Sequence, residues 1–190
     1  MSMCRLYIAQ TMEEFSHPIK AGQIKDQPRE YHLKANETQR AALSERFGLE
    51  AISLLEGHFQ LKHERSGIII ATLKMQAEVT QVCVVTLEPF LELLQEETIL
   101  RFVPQAMLQR RVSEDNDEES EEDITPEALD SPDEIPYEND QIDLGAALSE
   151  QLALTLPPYP RKPGAALPDS AIDNSANPFA LLANKLGKKP

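Results

Sequence analysis

An α+β fold is predicted: an antiparallel sheet meander with one helix in the N-terminal half, helices near the C-terminus, and a long acidic disordered insertion. Three observations predict it. Apolar residues recur with period two between Ala51 and Pro104, a capped helical segment precedes that region, and leucines at four-residue spacing follow it. At 190 residues the chain is long enough to bury one sizeable core and too short for two.

The elements follow in order. In FSHPIKAG, His17 precedes Pro18 and is pushed toward an extended conformation, so a short strand is expected around Phe15–Lys20. YHLKA, residues 31–35, alternates as a second strand. Asn36 then has Gln39 three residues on, the capping-box arrangement, and the helix it opens runs to about Phe47, where Gly48 supplies a left-handed stop. HFQLKH alternates, ERSG (64–67) reads as a hairpin turn, and the next run places Ala71, Leu73, Met75, Ala77 and Val79 on one face. A bulge is expected near Gln81-Val82, with CVVTLEPF continuing as strand to Pro89 and ETILRFVP (97–104) as one strand more. Asp143 can cap a helix whose Leu144, Leu148 and Leu152 share a face, which Pro157 and Pro158 end. Asn177 and Pro178 open a last short helix with Phe179, Leu182 and Leu186 in line.

Charge is distributed unevenly. Residues 113–140 hold fourteen Asp and Glu and no Lys or Arg, so this segment alone equals the formal charge of −14. The segment is read as a disordered loop, because so polar a stretch buries too little apolar surface to offset its chain entropy. Residues 13–112 and 141–186 are expected to form one domain around it, with 1–12 and 187–190 as flexible termini. No basic face or tail of the kind nucleic-acid binders carry is visible. Two cysteines, Cys4 and Cys83, make no disulfide framework, and no apolar run has the length of a signal peptide or a membrane span, so a cytoplasmic protein is expected.

Sites of chemistry are few. Cys83 shares parity with Val79, Val85 and Leu87, which predicts a buried small hydrophobe rather than a nucleophile, since none of His17, His32, His58 and His63 stands in a catalytic context. Zinc is not expected: Thr86 stands where a C-x-x-C pair would need its second thiol, and His58 and His63 fall on opposite faces of one strand. Arg110, Arg111, Lys185, Lys188 and Lys189 read as solubilising charge, and the leucine stripe of 144–152 as a face docked onto the sheet.

Several longer words carry a resemblance. QVCVVTLEPF, the acidic stretch, IDLGAALSEQLALTLPPYPRKPGA and NPFALLANKL, with EFSHPIK and ALSERFGLEAI upstream, resemble the YceD family, the large ribosomal RNA subunit accumulation proteins, and in particular its alphaproteobacterial branch, over roughly residues 14–186. Many members carry C-x-x-C followed by Leu at the position of Cys83, with further cysteines after the Leu-Pro block. Here Cys83 matches the first, Thr86 replaces the second, and PPYPRKPGAALPDS contains none of the later ones. The resemblance therefore implies no metal and no other cofactor for this chain. It implies a role in producing or retaining large-subunit rRNA; with no catalytic constellation in the residues, the expectation is a non-enzymatic factor supporting large-subunit rRNA accumulation and large ribosomal subunit biogenesis by binding a ribosomal protein or assembly intermediate. The alternative is direct rRNA binding through a sheet face, for which an aromatic content of 5% and no Trp offer thin support. Contact with the partner is expected from Asp143, Leu144, Gly145, Pro158, Tyr159, Pro160, Arg161 and Lys162, although Asp143 and Gly145 also suit helix capping.

Overall fold

The computed structural model describes residues 14–109 and 133–166. The first turn of order is a short strand, β1 (Pro18–Lys20), followed by β2 (Arg29–Lys34), α1 (Glu37–Phe47), β3 (Ala51–His63), β4 (Ile69–Val82) and β5 (Pro89–Pro104). After the acidic segment come β6 (Asp133–Tyr137), β7 (Gln141–Asp143) and α2 (Leu144–Thr155). Five strands lie in the order β2-β3-β4-β5-β6, antiparallel except for β6, which pairs with β5 in parallel; β1 and β7 form a separate antiparallel pair. The architecture is α+β. Among the described residues no helix is long and apolar enough to cross a membrane.

Local chemistry sets the helix ends. Asn36 accepts from the Gln39 amide at 2.9 Å while the Gln39 side chain accepts from the Asn36 amide at 2.9 Å, so two otherwise unpaired donors of α1 are satisfied. Gly48 ends α1 at φ 66°, a left-handed conformation that an L side chain resists. Between strands β3 and β4 the expected ERSG turn forms, with Ser66 and Gly67 both at positive φ.

The core lies between one face of the five-stranded sheet and the helices. Leu55, Phe59 and Leu61 of β3, the Ala71-to-Val79 row of β4, and Leu100 and Phe102 of β5 meet Leu43 of α1 and Leu144, Leu148 and Leu152 of α2. Gly57 lets α2 approach: a Cβ there would stand 2.8 Å from a methyl of Leu148. Among the described residues no helix packs on the opposite face of the sheet.

Three expectations are corrected. The bulge is on β3, between Ile52 and Leu54, and β4 pairs with β5 without interruption from Ile69 to Val82. CVVTLE is not a strand: residues 83–88 connect β4 to β5, Leu87 takes φ 58°, and β5 runs unbroken from Pro89. Period-two alternation cannot distinguish a strand that continues from one that turns and returns. Finally, residues 133–140 of the expected acidic loop are strand and turn. Ile135 and Tyr137 pack against the core, the Tyr137 hydroxyl donates to the Gly67 carbonyl at 2.7 Å, and Arg101 meets Glu134 at 3.1 Å. The composition of the whole segment masked this short apolar alternation. The rest of the acidic segment (113–132), the helix expected at 178–186, the flexible termini, Arg110, Arg111, Lys185, Lys188 and Lys189 lie outside the described residues.

Candidate partner-binding surface

The block expected to make contact divides into two parts with different work. Asp143, Leu144 and Gly145 are built into the fold. One Asp143 oxygen accepts from the amides of Gly145 (2.8 Å), Ala146 (3.0 Å) and His17 (2.8 Å), and its other oxygen accepts from the Ser16 hydroxyl. It caps α2 and ties the N-terminal segment to it. Leu144 is fully buried, and its amide donates to the His17 carbonyl at 3.1 Å. Gly145 has no room for a side chain: a Cβ would stand 2.6 Å from the Phe15 carbonyl oxygen. Capping and close approach account for these residues.

Pro158, Tyr159, Pro160, Arg161 and Lys162 lie on a loop that leaves α2 and docks onto the 83–88 hairpin. The Val84 amide donates to the Pro160 carbonyl at 2.9 Å, and Lys162 Nζ meets Glu88 at 2.9 Å. Prolines at 158, 160 and 163 restrict the loop backbone and hold it against this hairpin. Arg161 is exposed, and Tyr159 keeps 75% of its surface open.

Cys83 sits at the junction of these two loops. Its side chain is inaccessible, as expected of a buried small residue, and it sits beside the main cluster of sheet and helix side chains rather than within it. The Thr86 hydroxyl is the main cause that lowers its thiol from 9.0 to about 6; burial opposes this, and backbone amides of Thr86, Lys162 and Val85 add to the lowering. These partners are hydrogen-bond donors that stabilise a thiolate, and no imidazole is among them. The arrangement holds the sulfur as a thiolate that is closed off from solvent. Among the described residues no three His, Cys, Asp or Glu side chains are grouped to hold a metal.

Sequence reasoning missed the apolar side chains exposed around this hairpin: Val82, Val84, Leu87, Leu91 and Leu93. Read as continuous strand, Leu87 belonged to the core; in the turn it is 77% exposed. A signal was present. Residues i and i+3 of a strand point to opposite faces, so a C-x-x-C pair able to share a ligand requires a turn at positions 83–86.

The open sheet face offers a different surface. His32 and His58, opposite each other on β2 and β3, stack with ring centroids 4.0 Å apart. His63, at the far end of β3, faces Asp26 instead. Three cations of the open face are committed locally, Lys34 to Glu56 at 3.5 Å, Lys74 to Glu97 at 3.2 Å, and Arg101 to Glu64 and Glu134, while Lys62 on the same face is exposed.

The described residues form an α+β scaffold that gathers exposed apolar and cationic side chains at one hairpin. A family described as the large ribosomal RNA subunit accumulation protein YceD matches residues 71–178, which is more than half of the chain, and the chain belongs to that family. No curated protein and no solved structure matches it.

Proposed function

We propose that this chain is a cytoplasmic, non-enzymatic factor in large ribosomal subunit biogenesis, supporting accumulation of large-subunit rRNA by binding a ribosomal protein or an assembly intermediate. Membership of the accumulation-protein family supports the process. The observation that carries the mode of action is the contrast between two surfaces. The hairpin end exposes Val84, Leu87 and Tyr159 beside Arg161, whereas Lys34, Lys74 and Arg101 of the open face already answer to glutamates. Apolar and aromatic side chains beside an arginine suit a protein contact. Paired cations leave little to neutralise a phosphate backbone. The ten acidic residues in 113–132 would screen basic surface on the partner until rRNA takes it.

Capture of the tagged protein from native lysate, with and without ribonuclease, tests this. Ribosomal or assembly proteins that remain bound after ribonuclease are the expected result. Loss of all binding, with large-subunit rRNA fragments as the bound species, overturns it in favour of direct RNA recognition. Excision of residues 113–132 that leaves partner binding and rRNA levels unchanged would remove the screening role alone.

A further inference from the structure

β5 is a sixteen-residue strand, yet β6 pairs only with its last part, Leu100 to Pro104. Among the described residues nothing pairs with the outer edge of residues 89–99. A row of unpaired amides and carbonyls is a template for another strand, and protein edges of this kind are ordinarily blunted by charged side chains, lysine above all, or by proline. This one has no lysine and no proline between Phe90 and Ile99.

The edge has a definite chemistry. Glu88, Glu92, Glu96 and Glu97 lie along it with no Lys or Arg among residues 88–99. Glu88 is met by Lys162 and Glu97 by Lys74. Glu92 is different: its Oε2 is shielded from solvent with no hydrogen-bond partner among the described residues, an expensive state for a carboxylate. Glu92 and Glu96 share the helix-side face of β5 with buried Leu94, and Leu91 and Leu93 stand exposed on the other face.

We infer that residues 89–99 of β5 are the docking edge for an extended, basic segment of a partner protein, which adds to the sheet as a further strand. The inference rests on the protein-binding reading above and names the chemistry of that partner: alternating residues, basic toward Glu92 and Glu96 and apolar toward Leu91 and Leu93. Main-chain hydrogen bonds supply affinity and the alternation supplies specificity. Two other occupants are disfavoured by charge. A second copy pairing edge to edge would set glutamates against glutamates, and the chain's own residues 113–132 carry ten acids and no base.

The test uses the full chain and a synthetic peptide of alternating Lys and Val long enough to span 89–99, with a Glu-Val peptide and an oligouridylate as comparison ligands. Amide hydrogen exchange and fluorescence anisotropy are the readouts. The Lys-Val peptide is expected to slow exchange at 89–99, the Glu-Val peptide is not, and the Glu92→Gln/Glu96→Gln variant should bind about tenfold more weakly at a melting temperature no lower than that of the native chain. Unchanged exchange at 89–99, equal protection by both peptides, or protection there only by the oligouridylate overturns the inference. Ribonuclease-treated capture separates it from the reading beneath it. If wild type and the double variant retain the same ribosomal protein equally, the edge is wrong and the protein-binding reading stands. If wild type retains no ribosomal or assembly protein, the reading itself fails.

Discussion

Cys83 shows how little a residue's identity says without its neighbours. The thiol is held near 6 by Thr86 and by amides from two loops, so the folded chain gives up this proton before the unfolded chain does. The sign follows: its contribution to stability is complete above the range of a free thiol and is lost as pH falls through about 6. The denaturation midpoint of the native chain should therefore rise more between pH 6 and pH 9 than that of Cys83→Ala, measured in parallel by chemical denaturation. Equal slopes would show that the thiol is not ionised in the fold. Asp143 and Gly145 belong to the same scale. Asp143→Ala removes a helix cap and the tie to Ser16 and His17, and should cost about 2 kcal/mol. Gly145→Ala drives a methyl into the Phe15 backbone and should cost about 1–3 kcal/mol. If both variants lose stability while those that fold still bind partner, these residues serve the fold and not the contact.

At the scale of elements, β6 ties the sheet to the segment that precedes α2. It covers the end of β5, its Tyr137 reaches the β3–β4 turn, and the turn after it brings Asp140 to the amides of Ala21 and Gly22 at 2.9 and 2.7 Å. Excising 113–132 should leave the melting temperature close to that of the full chain, whereas excising 113–140 should lower it by several degrees, as thermal unfolding of the two deletions would show. Equal effects would mean that β6 contributes nothing. Helix α2 is the other element the core depends on. Leu148 is fully buried against Gly57 of β3, and Leu148→Ala should cost about 2–5 kcal/mol in denaturant titration.

For the whole molecule the governing fact is a folded body that is itself acidic, with 12 Lys and Arg against 19 Asp and Glu over residues 14–109 and 133–166, joined to a run of ten further acids in 113–132. Partner capture driven by that acid should weaken as salt is raised, and excising 113–132 should flatten the salt dependence more than it changes binding at high salt. A salt dependence unaltered by the excision would place the attraction elsewhere, first at the Glu-lined edge of β5.

The sequence by itself determined what depends on near neighbours in the chain. The Asn36–Gln39 box, the Gly48 stop, the inward row from Ala71 to Val79, the Asp143 cap and the leucine face of α2 rest on interactions within one turn or on strand alternation, so local pattern was enough to find them. Tertiary structure alone decided the rest. That 83–88 turns, that 158–162 docks on it, that Glu134 meets Arg101 across 33 residues and that β6 pairs with only the end of β5 all depend on which segments meet. Side chains distant in sequence are brought together by closing loops and burying shared surface, and no local period records that choice.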